Sequence, residues 1–234
     1  MPPAQRVAAA VLAGGLGTRL GGDVPKPFLP VLGHPLIHYS LRLFESLPEV
    51  CAIRVAVPEV HGPALERILA AYPRRAYRGW TPGGATRARS ALAALRSLDA
   101  DRPDVVLVHD AARPLVTADE VRALLAALPG HDGAILASPP VDTLWSSEND
   151  KVREIVDRHG MVCAFTPQVF PFRELKDAIE RGISEGFEGT DDASFVRRLG
   201  GEVAWVQGSR WNIKVTYPED LALVEAILGG GGCA

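Results

Sequence analysis

Three glycines, an arginine and a lysine give the stretch from Val7 to Pro30 its chemistry. Gly14, Gly15 and Gly17 precede Arg19, and Lys26 stands between Pro25 and Pro27. Glycine lets backbone N–H groups approach a ligand closely, while a guanidinium and an ammonium supply the positive charge that a polyphosphate demands. Two familiar loops are excluded by spacing. The dinucleotide fingerprint G-x-G-x-x-G would need a glycine at Leu20, and a P-loop would need Gly-Lys-Ser or Gly-Lys-Thr. On the residues alone, the stretch is either an anion-binding loop or a glycine-rich turn between core elements.

Four more clusters carry polar chemistry. In Gly83-Gly84-Ala-Thr-Arg-Ala-Arg-Ser90, backbone N–H groups and the Ser90 hydroxyl can hydrogen-bond the edge of a base, or the stretch is a turn opening a helix. His109-Asp110-Ala111-Ala112-Arg113-Pro114 follows the apolar run DVVLV. A carboxylate there suits magnesium or a hydroxylated ligand, and Arg113 either holds a phosphate or braces the loop as a buried partner of Asp110. His109 reads as a packed polar residue rather than a base, because an acceptor phosphate is already ionised. Arg158 in Val-Asp-Arg offers a fork for a phosphate monoester and Thr166 a hydroxyl, unless Arg158 is simply solvated. Finally, Thr190-Asp191-Asp192 has the look of a helix N-cap, and Lys214 between Ile213 and Val215 must face away from both if the segment is extended.

These clusters fall at strand ends and helix starts. The apolar run from Val7 to Ala13 reads as a strand buried on both faces. Helices are expected at Pro35–Leu47, Ala64–Tyr72, Thr86–Leu98, Thr117–Leu128, Phe172–Glu185 and Thr190–Leu199, and strands at Ala52–Val57, Arg75–Arg78, Asp104–His109, Gly133–Ser138, Glu202–Val206 and Ile213–Val215. Capping boxes Thr117-x-x-Glu120 and Thr216-x-x-Glu219 mark two helix starts. The alternation implies a doubly wound, mostly parallel α/β sheet with ligands at the carboxyl ends of its strands. From Pro139 to Thr166 the pattern changes to short β-like pieces around WSSENDK. We expect a single domain over residues 1–234 with an arm at about 139–166, which cannot be stable alone in water.

Composition narrows the classes. The chain has 234 residues, of which 47% are hydrophobic, with a net charge of −3. That is enough to bury a full core, and it lacks the broad basic excess of a nucleic-acid binder. Of 25 basic residues only Lys26, Lys151, Lys176 and Lys214 are lysines. The three cysteines, Cys51, Cys163 and Cys233, form no C-x-x-C pair, so a reducing cytoplasm is expected. No run approaches the ~18 apolar residues of a membrane span.

Taken in order, AGGLGTRLG, VPKPFLP, GGATRARS, VLVHDAARP, IVDRHG, FTPQVF, GTDDAS and NIKVTYPEDL resemble the 2-C-methyl-D-erythritol 4-phosphate cytidylyltransferase family over residues 7 to 228. The resemblance implies a Rossmann-like nucleotidyltransferase fold with a protruding β-arm. It implies transfer of CMP from CTP to methylerythritol phosphate with release of pyrophosphate, and Mg²⁺ held mainly by the CTP phosphates with no protein metal site. Arg19 and Lys26 would stabilise charge on the triphosphate, and Arg158 and Lys214 would position the acceptor. Ala13, Gly14, Gly15, Gly83 and Ser90 would line the nucleotide pocket, with Asp110, Ala111, Arg113, Thr143, Thr166 and Thr190 near the substrates. A homodimer joined through the arms is implied as well, with Arg158 of one chain reaching the other's site. Leu12-Ala13-Gly14-Gly15 and Pro25-Lys26-Pro27 also resemble ribitol-5-phosphate and sugar-1-phosphate nucleotidyltransferases, which stand as the alternative. A non-enzymatic nucleotide-binding module and a dehydrogenase are the more distant rivals.

Overall fold

A computed structural model describes residues 5–15, 24–70 and 75–230. Its centre is a seven-stranded sheet. In chain order the elements are β1 (Val7–Leu12), a short β2 (Pro30–Val31) and β3 (His34–Pro35), α1 (Leu36–Ser46), β4 (Val50–Val57), α2 (Gly62–Leu69), β5 (Tyr77–Pro82) and α3 (Arg87–Leu98). There follow β6 (Val105–Asp110), α4 (Ala118–Ala127), β7 (Gly133–Ser138), β8 (Leu144–Glu148) and β9 (Lys151–Val156). The chain continues with β10 (Cys163–Pro171), α5 (Phe172–Ser184), α6 (Asp192–Arg198), β11 (Val203–Gln207) and α7 (Pro218–Gly229).

The sheet order is β11-β7-β10-β6-β1-β4-β5. β1 pairs in parallel with both β4 and β6, and β10 runs antiparallel between β6 and β7. Because β4 and β5 lie on one side of β1 and β6 on the other, the chain reverses direction across the sheet at β1 and β6. A crevice opens at their carboxyl ends, where an α/β sheet takes its ligand. Leu12 is opposite Asp110 in the register, so the glycine loop and the Asp110 loop emerge side by side.

Alternation along β1 divides the core. Val7, Ala9, Val11 and Ala13 join Ile37, Phe44, Leu65 and Leu124 on one face, while Ala8, Ala10 and Leu12 join Leu95, Leu175, Ile179 and Phe195 on the other. A third cluster of Val31, Leu36, Ala112, Leu115, Val215 and Val224 lies beside the sheet and fixes α7 and the segment before it. No described helix is long and apolar enough to cross a membrane.

The structure corrects several expectations. β10 is a strand that the sequence pattern hides, because Pro167 interrupts it and Pro171 ends it. Proline gives a ladder no N–H, and the pairing to β7 shifts register between Phe165 and Gln168. Residues 213–215 form no strand. A single backbone bond from Val215 N–H to the Ala112 carbonyl, 2.8 Å, ties the segment to its neighbour. α6 is capped by Asp191, whose side chain accepts from the Ser194 N–H, and not by Thr190. α7 starts at Pro218, which suits a first helical turn, so the acidic residue that closes its start is Asp220 rather than Glu219. The Asp220 carboxylate accepts from the N–H groups of Thr216 and Tyr217 at 2.7 and 2.8 Å. The strand expected at Arg75–Arg78 begins two residues later, at Tyr77, and runs on to Pro82. The capping box at Thr117 and Glu120 forms as expected.

The antiparallel strand needs room for one large ring. A Cβ built on Gly133 would lie 2.4 Å from a ring carbon of Phe170, a fully buried residue of β10. Gly133→Ala should therefore destabilise the protein by about 1–3 kcal/mol, the scale of overpacking a core. Urea unfolding measures it, and an unchanged midpoint would contradict the packing of β10 against β7.

Candidate active site

The cleft at the ends of β1 and β6 collects residues from five parts of the chain. Ala13, Gly14 and Gly15 form one wall, Lys26 and Pro27 another, and Asp110, Ala111 and Ala112 the floor. Gly84, Ala85, Thr86, Arg87 and Ser90 come from the start of α3, and Lys214 from the segment before α7. Backbone bonds from Ala13 N–H to the Ala56 carbonyl and from Ala111 N–H to the Leu12 carbonyl hold both loops to the sheet.

Opposite the glycine loop, the start of α3 is shaped by Ser90. Its hydroxyl accepts from the Gly84 N–H at 3.1 Å and lies 3.0 Å from the Thr86 carbonyl, to which it can donate. Thr86 caps the helix by accepting from the Arg89 N–H. Gly84 admits no side chain, since a Cβ there would be 2.3 Å from that of Arg89. Gly83 stands behind the wall, with its N–H bonded to the Val57 carbonyl, and a Cβ built on it would lie 3.1 Å from Ser90 Oγ.

The floor is an ionic cluster. Asp110 Oδ2 receives Lys214 Nζ at 2.6 Å, and Oδ1 receives Arg87 Nε at 3.1 Å. A terminal nitrogen of Arg87 also reaches Asp192 Oδ2 at 2.8 Å. Lys26 is buried in the cleft wall and donates to the Val215 carbonyl at 2.8 Å. The arrangement is a glycine-walled cleft with two lysines and one neutralised carboxylate, suited to holding a polyphosphate next to a second anionic ligand.

Comparison with known proteins gives this chemistry a family. Residues 7–230 match the family model of 2-C-methyl-D-erythritol 4-phosphate cytidylyltransferase. The chain belongs to this family. A cytidylyltransferase of that name from Geotalea uraniireducens is 40% identical over 225 residues, covering 95% of this chain and 97% of the relative. The crystal structure of the Thermus thermophilus enzyme superimposes with a TM-score of 0.75 at 31% identity, covering 94% and 98% of the two chains. That of Francisella tularensis gives a TM-score of 0.81 at 26% identity, covering 94% and 98%. The chain is thus an enzyme of the nucleotidyltransferase class with that class's fold.

Not every residue singled out in the sequence reaches this cytidylyltransferase's own cleft. Arg19 lies outside the described residues. Arg158 and Thr143 are exposed at the base of the β8–β9 arm, where Arg158 donates to the carbonyls of Val141 and Asp142. Thr190 is exposed on the loop before α6. Arg113 donates to the Asn212 carbonyl at 2.7 Å and sits over the Phe165 ring, while the cations on Asp110 are Arg87 and Lys214. Sequence reasoning overlooked Arg87 and Asp192. Both stood inside quoted motifs, and the signal available was that each opens a helix beside the proposed ligand.

Charge in the floor is set by competition between burial and pairing. Burial pushes the Asp110 carboxyl up, but Arg87 and Lys214 outweigh it and hold the group well below the usual carboxylate range. Burial opposes the charge on Arg87, and Asp192 and Asp110 more than compensate. For Asp192 burial wins over Arg87, so its carboxyl is raised. Its Oδ1 is buried and has no hydrogen-bond partner among the described residues.

Beneath the cleft, His109 joins the strands. Thr166 Oγ1 accepts from the Asp110 N–H at 3.0 Å and lies 3.3 Å from His109 Nδ1. His109 Nε2 lies 3.2 Å from the Arg113 carbonyl and 3.1 Å from Ser40 Oγ. A carbonyl can only accept, which assigns the proton to Nε2 and leaves Nδ1 to accept from Thr166. Burial lowers His109 to about 3, in keeping with a packed neutral residue and not a base.

This neutrality predicts acid sensitivity. Between pH 6.5 and about 3 the unfolded chain binds a proton at His109 that the folded chain does not, so the stability it contributes is complete above pH 6.5 and is lost on acidification. From pH 7 to 5 the loss should be about 2 kcal/mol from this residue alone. His109→Gln should remove that part of the difference in urea unfolding. Equal pH dependence in the two proteins would show that His109 is not buried in its neutral form.

Proposed function

We propose that the enzyme transfers CMP from CTP to 2-C-methyl-D-erythritol 4-phosphate, a step of isoprenoid precursor synthesis. The observation that carries this reading is the convergence of the glycine loop, Lys26, Asp110 and Lys214 on one cleft at the sheet's switch point. An oxygen of the acceptor phosphate attacks the α-phosphorus of CTP in line. A new P–O bond forms, the bond from the α-phosphorus to the oxygen bridging to the β-phosphorus breaks, and pyrophosphate leaves with the electron pair. No proton need be taken from the ionised nucleophile, so positioning and charge neutralisation do the chemistry.

In this scheme Lys26 stabilises charge on the triphosphate and Lys214 meets the acceptor phosphate. Ala13, Gly14 and Gly15 present backbone groups to the nucleotide, and the Ser90–Gly84 turn faces the base. Arg19 is assigned with Lys26 on the ground of the family motif. Mg²⁺ belongs to the proposal as a counter-charge on the phosphates. Both Asp110 oxygens are engaged by cations, and among the described residues no group of three His, Cys, Asp or Glu side chains can hold a metal. In the proposal the ion is carried chiefly by the triphosphate, with Asp110 as the nearby carboxylate. A cytoplasmic enzyme is part of the proposal, and among the described residues Cys51 and Cys163 form no disulfide.

Pyrophosphate release tests the reading. Turnover is expected with CTP and methylerythritol phosphate. Turnover with UTP or dTTP and a sugar 1-phosphate, or with CTP and ribitol 5-phosphate, in place of that pair would reverse the choice of substrate. Lys26→Ala should lower kcat by ~10²-fold or more, the scale of removing one preorganised electrostatic contact.

A homodimer with shared sites is the second part of the proposal. Arg158 does not line the cleft of its own chain, and the arm beside it leaves Trp145, Val152 and Ile155 exposed. A hairpin of this kind is not stable alone in water, and a two-fold partner would cover it while receiving Arg158 into its cleft. Lys26→Ala and Arg158→Ala chains, mixed through unfolding and refolding, would then form mixed dimers having one intact site and one doubly damaged. Random pairing should return about a quarter of wild-type activity. No recovery in dimers shown to have exchanged would defeat the shared site.

A further inference from the structure

Arg87 is the first residue of α3, and its guanidinium spans two carboxylates that are far apart in the chain. It reaches Asp110 at the end of β6 and Asp192 at the start of α6. Asp110 has a second cation in Lys214, so the floor holds two positive and two negative groups. Their freedom differs. The Asp192 side chain is 0% exposed and that of Arg87 26%, whereas that of Lys214 is 45% exposed. Lys214 is the member able to leave.

A phosphate entering the cleft would draw the Lys214 ammonium from Asp110. Were Lys214 the only cation on that carboxylate, its departure would leave a buried negative charge beside an arriving anion, which is costly on both counts. Arg87 removes the conflict. We infer that Arg87 is a positioning residue for acceptor binding: it keeps Asp110 fixed and neutralised so that Lys214 can pass to the phosphate. The inference rests on the cytidylyltransferase reading and adds to it a residue that acts through Asp110.

Arg87 also has a structural task at Asp192, and the test separates the two. Arg87→Gln alone strands the buried Asp192 and should lower the thermal midpoint. Arg87→Gln/Asp192→Asn removes both charges and should bring the midpoint back towards wild type, yet leave KM for the acceptor raised ~10-fold, as expected for a lost charged hydrogen bond, with KM for CTP changed less than twofold. Arg87→Lys/Asp192→Asn returns one ammonium with only Asp110 to serve, and should recover most of the acceptor KM. Equal acceptor KM in the two double variants, or a wild-type value in the Gln/Asn chain, would overturn the inference. If the Gln/Asn chain is unfolded by circular dichroism, Asp192→Asn alone decides. With Arg87 intact its acceptor KM should stay within twofold of wild type, and a tenfold rise would count against Arg87 acting through Asp110. Absence of turnover by the wild-type enzyme would defeat the cytidylyltransferase reading itself, a different outcome from any of these.

Discussion

The carboxylate of Asp110 is the constraint around which the cleft is arranged. It ends β6, is buried among apolar strands, and bears a charge that is tolerable there only when paired. Three separate parts of the chain are brought to it. α3 supplies Arg87, the segment before α7 supplies Lys214, and β10 supplies Thr166, whose hydroxyl receives the Asp110 N–H. The side chain and the backbone of one residue are thus held by different elements. The sheet topology makes this possible, because β10 enters antiparallel beside β6 and delivers Thr166 to the same end at which the parallel strands deposit their loops.

The parts of this arrangement that were legible in the sequence are those written locally. The apolar run of β1 breaking into glycines, the position of Asp110 after DVVLV, and the capping box at Thr117 each depend on a few adjacent residues. Local pattern also indicated that Lys214 would face away from Val215, and Val215 is indeed buried while Lys214 is exposed. What was hidden needed tertiary information. Arg87 and Asp192 pair across 105 positions, and each looks like an ordinary residue in the first turn of a helix. β10 was obscured by its own prolines. The segment 213–215 has strand-like residues but no ladder, because the Ile213 N–H turns back to the Trp211 carbonyl, the Val215 N–H goes to Ala112, and the side chains of Lys26 and Thr216 take the carbonyls of Val215 and Lys214.

That segment explains how a residue on irregular backbone can still be placed accurately. Asn212 donates from Nδ2 to the Thr166 carbonyl at 3.0 Å, and its own carbonyl receives Arg113 at 2.7 Å. Val215 is sealed in the third apolar cluster. Arg113 anchors the segment through the Asn212 carbonyl. Its planar fork fits a carbonyl and at the same time stacks on Phe165, something a lysine would do poorly.

The two cleft lysines are joined through the same segment. Lys26 donates to the carbonyl of Val215, the residue that directly follows Lys214, although 189 positions separate the bonded pair. A shift of residues 212–216 that moves the Val215 carbonyl is therefore felt at Lys26 as well. An ammonium is well suited to this, since its three donors on a flexible stem allow it to keep a carbonyl and still turn towards a phosphate. In the proposed reaction the two lysines face different substrates. A backbone that carries one and is gripped by the other is the simplest physical means by which the nucleotide side and the acceptor side of the cleft can be kept in register.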